Sequence, residues 1–381
     1  MAISSGLLPQ PARLLTHGGR ARAIEAGEIA IDVAFVAAPA ADALGNINGV
    51  EGPSACGALG YPQVDVAHAK CVVAITDHLV PYPACPVAIG QEEVDFVVAT
   101  KSIGDAAGIV SGTTRPRREP TGLAIADLAA RVIDASGLLE EGFSFQTGAG
   151  GVSLAAAAHV RRLMAERGVV GSFASGGITG QHVAMLEEGL FRTLLDVQCF
   201  DLEAVRSFAC DPRHLAMSAS RYADPHKRGA VVDQLDALIL GATEVDREFN
   251  VNVTTGSKGV IMGGSGGHAD TAAGARLAIV TSRITAGGHP KFVERVRTIT
   301  TPGATIDVVV TEFGLAVNPA RSDLSDRLAN AGLPVIAIDE LVARAAAQAE
   351  RAPTPREDGR TVAVVEYRDG AIIDTVPQVP A

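Results

Sequence analysis

Three glycine-rich segments of the chain have the residue types and spacing to hold an anionic group. They read FQTGAGGVSL at residues 145–154, ASGGITG at 174–180 and GGSGGHADTAAGA at 263–275. Glycine lets a ligand approach the backbone closely, and a helix that begins after such a loop presents unpaired N–H groups and a partial positive charge. None has the Gly-Lys-Ser/Thr of a P-loop or a complete dinucleotide fingerprint. They predict sites for a carboxylate or an oxyanion, although each alone is equally compatible with a tight turn.

Two glutamates follow predicted strands directly. Glu244 comes shortly after the aliphatic run at 237–240, and Glu312 follows the run at 306–311. In open α/β sheets, ligands bind at the carboxyl ends of the strands. A carboxylate placed there among small and apolar neighbours is partly desolvated, which favours its use as a nucleophile or a general base. The alternative for each glutamate is a solvated loop residue, which is the commoner case.

His268 and Asp270 form a His–Asp near-neighbour pair within the third glycine-rich segment. A metal site would need a third ligand, which the sequence does not identify, so no metal is predicted. The five cysteines are an odd number without C-x-x-C spacing, which predicts reduced thiols and a cytoplasmic protein. There is no G-x-S-x-G elbow and no recognisable Cys–His pairing, so the sequence does not support serine or cysteine hydrolase chemistry.

The elements that must position these residues alternate between strand and helix. Aliphatic runs predict strands at 31–37, 71–76, 94–99, 237–240, 277–281, 306–311, 334–338 and 361–367, and helical spacing predicts helices at 124–135, 153–167, 181–189 and 323–332. This alternation favours an α/β fold of open, mostly parallel sheets flanked by helices. A proline- and arginine-rich stretch at 113–120 predicts a boundary between a first domain at 1–120 and a second at 121–381.

The composition fits an α/β enzyme and excludes some partners. Hydrophobic residues make up 47% of the 381 residues and aromatic residues only 4%, which suits buried aliphatic strands. The formal net charge of -11 gives no general attraction for nucleic acid or an anionic membrane. No run reaches the ~18 apolar residues that a membrane-spanning helix requires.

Long motifs follow one another in a recognisable order along nearly the whole chain. They include DVAFVAAPAADALGNINGVEG at 32–52, SIGDAAGIVSGTTR at 102–115, LLDVQCFD at 194–201, GATEVDREFNVNV at 241–253, the third glycine-rich segment, and TPGATIDVVVTEFGLAVNP at 301–319. In these motifs the chain resembles the citrate lyase alpha-subunit family, and more loosely the CoA-transferase superfamily. The resemblance implies a fold of two CoA-transferase-type domains, each an open mostly parallel sheet flanked by helices.

The resemblance also implies a reaction, partners and a cofactor. Family members exchange the acetyl group on the prosthetic thiol of an acyl carrier for citrate, giving a citryl thioester and acetate. The implied partners are a beta (lyase) subunit and a gamma (acyl carrier) subunit. The thiol belongs to a CoA-like phosphoribosyl-dephospho-CoA group on the carrier, so no cofactor is expected to be covalently bound to this chain.

Candidate site residues follow from the motifs and the resemblance together. Glu244 stands where related CoA-transferases carry their catalytic glutamate, and its role is open between nucleophile and electrostatic or basic helper. Residues expected to bind the substrate or the CoA-like arm are Gly148, Gly150, Gly151, Gly176, Gly177, Gly264, Gly266, Gly267, His268, Glu312, Gly314 and Asn318. A tricarboxylate also needs local positive charge, for which the candidates are Arg20, Arg22, Arg115, Arg117, Arg118 and Arg221, with His17, Gly18 and Gly19 lining the same cleft.

The N-terminus departs from the family pattern. The resemblance begins abruptly around Thr16, so the first domain is expected to lack its opening strand, glycine loop and helix, through a trimmed chain, a misplaced start codon or a split gene. Two other functions also stay open. One is a CoA-transferase for another acid, such as citramalate, and the other is a non-catalytic assembly subunit. A dinucleotide-dependent dehydrogenase is disfavoured because no complete fingerprint is present.

Overall fold

Helices and strands alternate through the part of the chain that the computed structural model describes, which is residues 2–109, 119–148, 150–352 and 359–379. The described helices are α1 (His17–Glu25), α2 (Gly60–His68), α3 (Pro120–Ser136), α4 (Gly151–Arg167), α5 (Gly180–Glu187), α6 (Leu202–Cys210), α7 (Ala219–Ala223), α8 (His268–Gly274), α9 (Ser322–Asn330) and α10 (Ile338–Gln348). The described strands are β1 (Ala12–Leu14), β2 (Ala34–Ala37), β3 (Ala40–Ala41), β4 (Ile47–Asn48), β5 (Val72–Thr76), β6 (Phe96–Ala99), β7 (Ser144–Thr147), β8 (Gly171–Ile178), β9 (Phe191–Cys199), β10 (His214–Ala216), β11 (Ala237–Gly241), β12 (Glu244–Asp246), β13 (Val251–Asn252), β14 (Leu277–Thr281), β15 (Thr285–Ala286), β16 (His289–Pro290), β17 (Phe292–Val293), β18 (Val308–Thr311), β19 (Gly314–Val317), β20 (Thr361–Glu366) and β21 (Ile372–Pro377).

The chain forms two compact units, each built from separate stretches of sequence. The first unit contains Met1–Arg20, Pro116–Val169 and Val232–Ala381, and the second contains Ala21–Arg115 and Val170–Val231. Both units therefore take residues from each side of the boundary expected at 113–120. Most of that stretch lies outside the described residues, and the division into domains at 1–120 and 121–381 stays a prediction.

The first unit is organised by a mostly parallel sheet. Strands β7, β11, β14 and β18 lie side by side in that order and run parallel, and β19 pairs antiparallel with β18. Every residue of β14 and β18 is buried, which explains why these strands carry aliphatic side chains on both faces. The strands predicted at 237–240, 277–281 and 306–311 are confirmed. Their carboxyl ends meet at one edge of the sheet, where Glu244 and Glu312 follow.

Helices α3 and α4 pack against each other and against this sheet. Helix α3 has a proline at its first turn and ends at Gly137, whose φ of 80° suits the left-handed conformation that closes a helix. One face of α3 is fully buried and includes Ile125, Ala129 and Val132. The predicted helices at 124–135 and 153–167 are confirmed. At 17 residues, α3 and α4 are shorter than a typical bilayer span of about 20, and none of the described helices could cross a membrane.

The second unit contains two parallel strand groups of its own. One has the order β2–β5–β6 and the other β10–β9–β8, so the strands predicted at 31–37, 71–76 and 94–99 are confirmed with later starts. The mixed α/β class with mostly parallel strands therefore holds within each unit.

One predicted strand, at 334–338 in the first unit, is wrong. Val335 makes a single bridge to Leu315, and Ile338 already begins α10. Asp339 and Glu340 occupy the first turn of that helix, where negative charge stabilises the helix N-terminus. A short aliphatic run has no periodicity that distinguishes a strand from the entry to a helix.

Candidate active site

Glu244 lies in a short strand pair just beyond the carboxyl end of β11. Strand β12 pairs antiparallel with β13, and the register places Glu244 opposite Asn252. The Glu244 Oε2 atom accepts a hydrogen bond from the Asn252 side-chain amide at 2.9 Å and one from the Arg297 backbone N–H at 3.0 Å. The side chain is partly buried, and its Oε1 atom has no hydrogen bond to any described residue. The carboxylate is thus held in place with one oxygen left for a substrate.

Asn252 is the residue that fixes Glu244, and it is fully buried. Its amide also donates to the Thr255 carbonyl oxygen at 2.9 Å, while its Oδ1 accepts from the backbone N–H groups of Thr254 and Thr255, both at 3.0 Å. The Thr255 hydroxyl in turn contacts Thr298 at 2.9 Å. These bonds set the orientation of the amide, which makes Asn252 a positioning residue for Glu244. Sequence reasoning did not identify this role, because only the strand register brings Asn252 opposite Glu244.

His268, at the start of α8, supports the end of β11. Its Nε2–H donates to the Gly241 carbonyl oxygen at 2.9 Å, and the Thr301 hydroxyl donates to its Nδ1 at 2.7 Å. Burial lowers the pKa of His268 to about 4, so the ring is neutral near pH 7. Both ring nitrogens are used in these contacts, so the ring stabilises the end of the strand that leads to Glu244. Neither nitrogen is left to make the contact with substrate that was expected from the sequence.

An N-terminal segment, Thr16 to Gly19, packs on the third glycine-rich segment. The His17 N–H donates to the Gly266 carbonyl oxygen at 3.0 Å, and the Thr16 hydroxyl and the Gly18 N–H donate to the two carboxylate oxygens of Asp270 at 2.8 and 2.9 Å. Burial lowers the pKa of His17 to about 4 and raises that of Asp270 to about 6. Asp270 is thus an anchor for the Thr16–Gly19 segment, and a cleft lined by His17, Gly18, Gly19 and the candidate arginines stays a prediction.

The raised pKa of Asp270 predicts how the free energy of unfolding depends on pH. Because the folded pKa of about 6 lies above the ordinary value of 3.8, the protonated carboxyl stabilises the fold at acid pH, and this contribution is lost as pH rises through 6. Of a total of about 3 kcal/mol, about 2 kcal/mol is lost between pH 4.5 and 7. Asp270→Asn keeps a donor for Thr16 and an acceptor for Gly18, and should flatten this slope in denaturant titrations of the free energy of unfolding. The exposed Asp326→Asn should leave the slope unchanged. Equal slopes in wild type and Asp270→Asn would contradict the prediction.

The first glycine-rich segment leads from β7 into α4. The Gly148 N–H donates to the Ile239 carbonyl oxygen at 2.7 Å, Gly150 caps the helix and Gly151 begins it. The hydroxyls of Thr147 and Ser153 flank these glycines, and both are buried without a hydrogen-bond partner among the described residues. An unsatisfied buried polar group costs about 1–3 kcal/mol. Each hydroxyl is a potential donor to a ligand oxygen at the start of α4, which fits a carboxylate or an oxyanion.

The third segment offers open backbone. A Cβ atom on Gly263 or Gly264 would meet no atom within 4 Å, and both residues are exposed. Gly266 has a φ of 58°, a conformation that favours glycine, and Gly267 accepts the Thr271 N–H that starts α8. Gly264, Gly266 and Gly267 therefore lie on the same loop as His268, in the same unit as Glu244.

The second glycine-rich segment is mostly strand rather than a loop before a helix. Gly176 and Gly177 lie inside β8 of the second unit, at an irregularity of its pairing with β9. A Cβ atom on Gly177 would overlap the Phe200 ring. Glycine is required at 177 because an aromatic ring packs there, and the sequence pattern alone does not distinguish that demand from the approach of a ligand.

Glu312 lies in the turn between β18 and β19, and Gly314 is the first residue of β19. Both carboxylate oxygens of Glu312 accept from the Ile284 backbone N–H, at 3.1 and 3.2 Å, so Glu312 fastens the chain that follows β14. Gly314 has a φ of 137°, and a Cβ there would lie 2.6 Å from the Pro334 carbonyl oxygen. Both residues therefore have structural roles at the carboxyl end of β18.

Asn318 lies at the other edge of the sheet. Strand β19 runs antiparallel to β18, so its carboxyl end returns to the start of β18, where the Asn318 N–H donates to the Asp307 carbonyl oxygen at 2.8 Å. The side-chain amide of Asn318 donates to the carbonyl oxygens of Gly303 and Ile306 at 2.9 and 2.8 Å. The structure does not bring Asn318 together with Glu244, because a reversed edge strand carries it away from the carboxyl ends of the parallel strands.

The candidate arginines lie in different environments. Arg22, in the second unit, is buried and forms an ion pair with Glu28 at 2.6 Å. Arg221 is exposed and lines a cavity of about 420 Å³ in the same unit, together with Lys227 and Arg228. Arg20 is exposed in the first unit. The three remaining candidates, Arg115, Arg117 and Arg118, lie outside the described residues.

Among the described residues, Asp196, Cys199 and His214 of the second unit have side-chain donor atoms close enough to converge on a metal ion, within 4.8 Å of one another. All three are buried. His214 Nε2 and Cys199 Sγ lie 3.1 and 2.9 Å from the same Asp196 oxygen, and burial raises the pKa of the Cys199 thiol. A protonated thiol that donates to Asp196 accounts for this geometry, and we interpret the group as a hydrogen-bonded part of the core.

Comparison with known proteins finds one family along the whole chain. The family model for the citrate lyase alpha subunit matches residues 1–379. The citrate lyase alpha chain of Klebsiella pneumoniae is 49% identical over 378 residues, which cover 99% of this chain and 74% of that protein. A crystal structure of a candidate citrate lyase alpha subunit from Streptococcus mutans, in complex with citrate, is 47% identical, with a TM-score of 0.96, and covers 100% of this chain and 75% of that one.

A more distant structure shares the fold alone. The 4-hydroxybutyrate CoA-transferase of Porphyromonas gingivalis is 16% identical, with a TM-score of 0.53, over 86% of this chain and 79% of that one. The fold is therefore one that CoA-transferases also use.

Proposed function

The chain belongs to the citrate lyase alpha-subunit family and has a transferase role, and from this premise we propose that it exchanges the acetyl group of an acyl-carrier thioester for citrate. The observation that carries the proposal is the placement of Glu244 at the carboxyl edge of the sheet, where Asn252 holds one carboxylate oxygen and the other makes no hydrogen bond to a described residue. The first glycine-rich segment carries the Thr147 and Ser153 hydroxyls, which make no hydrogen bond to any described residue, and these are donors of the kind that an oxyanion needs. Citrate bound to the Streptococcus mutans relative favours citrate as the acceptor.

The proposed exchange has two acyl-transfer steps, which together neither take up nor release a proton. A citrate carboxylate oxygen attacks the acetyl carbonyl carbon, a C–O bond forms, the C–S bond breaks, and the thiolate leaves from an acetic–citric anhydride. The thiolate then attacks the citryl carbonyl of the anhydride, a C–S bond forms, and acetate leaves. Each attack passes through an oxyanion that N–H and hydroxyl donors stabilise. Glu244 serves either as an electrostatic or basic helper of this direct exchange or as the nucleophile that forms the first anhydride on the protein.

The partners and the cofactor follow from the same proposal. We expect a beta (lyase) subunit and a gamma (acyl carrier) subunit, with the reacting thiol on a phosphoribosyl-dephospho-CoA group of the carrier or on CoA itself. The exposed backbone at Gly263 and Gly264, where added atoms would meet no neighbour, fits a long pantetheine-like arm. A division into two CoA-transferase-type domains and a cytoplasmic location complete the proposal.

The choice of acceptor tests the proposed function directly. We expect citrate to release labelled acetate from an acetylated carrier at least about tenfold faster than citramalate or malonate at equal concentration, because each lacks a carboxylate or hydroxyl that citrate offers. Acetate release is measured by scintillation counting after removal of the carrier. Exchange with citramalate but not with citrate would show that citramalate, and not citrate, is the acyl acceptor. Co-purification with carrier and lyase subunits without any exchange would instead identify a non-catalytic assembly subunit.

A further inference from the structure

Glu244 is the middle member of a row of three polar side chains. Strand β12 lies between β13 and β17 in a three-stranded sheet, and the registers pair Glu244 with Asn252 on one side and Val245 with Phe292 on the other. Successive side chains of a strand point to opposite faces. Val245 and Phe292 are buried together in the core, so Glu244, one position before Val245, and Lys291, the residue just before β17, share the opposite face.

The contacts of Lys291 differ from those of Glu244. Its carbonyl oxygen accepts the Val245 N–H at 2.8 Å, which ties the two strands together. Its ammonium group makes no hydrogen bond or ion pair with any residue in the described ranges. The side chain is nevertheless partly buried, and burial lowers the pKa of Lys291 to about 8, against the influence of Glu244, which raises it. At pH 7 such a group is about 90% protonated.

A partly buried ammonium that contacts no anionic group among the described residues favours the binding of an anion. Removing an ammonium from water is unfavourable unless a counter-charge compensates it. Glu244 is close enough to influence Lys291 but does not reach ion-pair distance, since its Oε2 atom is directed to Asn252 and to the Arg297 N–H. A negatively charged oxygen placed between the two side chains would contact the ammonium and lie beside Glu244.

We propose that Lys291 binds a carboxylate of the acyl acceptor next to Glu244. This inference rests on the proposed function, and it adds a residue outside the set of candidate arginines. Citrate must bring a carboxylate close to another carboxylate, and two like charges in a partly desolvated site repel each other. The Lys291 ammonium offsets that repulsion and directs the acceptor oxygen toward the reacting carbonyl. The lysine ammonium is a compact point charge and would contact one carboxylate oxygen, whereas an arginine guanidinium would bind both oxygens of the carboxylate.

The test separates acceptor binding from catalysis. Citrate binding is measured by isothermal titration calorimetry on the full chain carrying Glu244→Gln, and again on the chain carrying Glu244→Gln together with Lys291→Met. We expect the second substitution to raise the citrate Kd about 10- to 100-fold, as loss of a charge-assisted contact does. Lys258→Met, which removes an exposed lysine of the same unit, should change the Kd less than about twofold.

Turnover provides the second readout. With Glu244 intact, Lys291→Met should raise KM for citrate by about the same factor as the Kd. An unchanged citrate Kd, or a fall in kcat with unchanged KM, would overturn the inference, because Lys291 would then act only on Glu244. Circular dichroism checks the fold, and Lys291→Gln takes the place of the methionine variant if that variant does not fold. Full activity of Glu244→Gln would reject the role of Glu244 while leaving the binding comparison for Lys291 intact.

Discussion

Acyl exchange by the Glu244→Gln variant is expected to fall by about 10³-fold or more, with the fold intact. The substitution keeps the size of the side chain, and the glutamine oxygen can still accept from Asn252 and from the Arg297 N–H. What it removes is the negative charge and the nucleophilic oxygen at the Oε1 position. Release of labelled acetate from an acetylated carrier on addition of citrate measures the rate, and thermal unfolding checks stability.

A matched control lies in the turn that follows the strand of Glu244. Glu248 is exposed and its carboxylate contacts only the Asn250 side chain among the described residues, so Glu248→Gln should exchange at the wild-type rate. Wild-type turnover in Glu244→Gln would remove Glu244 from the mechanism. Equal losses in both variants would point to the charge of the whole loop rather than to one carboxylate.

Oxygen labelling then decides between the two roles of Glu244. In a single turnover with citrate labelled by ¹⁸O in its carboxylates, direct exchange leaves one citrate oxygen in the released acetate. If Glu244 is the nucleophile, the acetate carries an oxygen from Glu244 instead, and the citrate oxygen is found in Glu244 by peptide mass spectrometry. The two outcomes exclude each other, because the bridging oxygen that comes from citrate leaves with acetate in direct exchange and stays on Glu244 in the covalent route.

The sequence predicts the place of the site better than its contacts. Aliphatic runs without polar alternation predict β11, β14 and β18 correctly, because strands buried on both faces need that pattern. The position of Glu244 just after β11 follows from the same reasoning. The residues that contact Glu244 cannot be predicted in this way. Asn252 and Lys291 come beside it only through the register of three very short strands, and strands of two or three residues carry no readable periodicity.

Glycine and strand direction mark the other limits of prediction. Gly177 and Gly264 look alike in sequence, yet the first leaves room for the Phe200 ring and the second faces open space. Asn318 belongs to a motif that also contains Glu312, but the antiparallel edge strand β19 carries it to the opposite edge of the sheet. Whether a strand runs parallel or antiparallel depends on tertiary packing, which a local motif does not contain.

The second large effect is expected at Gly303, which touches the turn that connects β12 to β13. A Cβ atom at 303 would coincide with the Glu248 carbonyl oxygen and approach the Asn250 backbone nitrogen to 2.8 Å. The Gly303 N–H also donates to the Asn250 side chain at 2.9 Å, so the two segments are held together at this point. Gly303→Ala should therefore lower the free energy of unfolding by about 3 kcal/mol or more, since backbone atoms cannot move aside as a flexible side chain can.

Gly263→Ala is the matched stability control, because a Cβ there meets no atom within 4 Å, and it should unfold like the wild type in a guanidinium titration. If Gly303→Ala also unfolds like the wild type, the packing of this turn is not what holds the site. If it is destabilised as expected, exchange should fall as well, because the displaced turn carries Glu244 at one end and Asn252 at the other. That joint loss differs from the Glu244→Gln result, in which exchange falls and stability does not, and the contrast separates the chemistry of the carboxylate from the backbone that positions it.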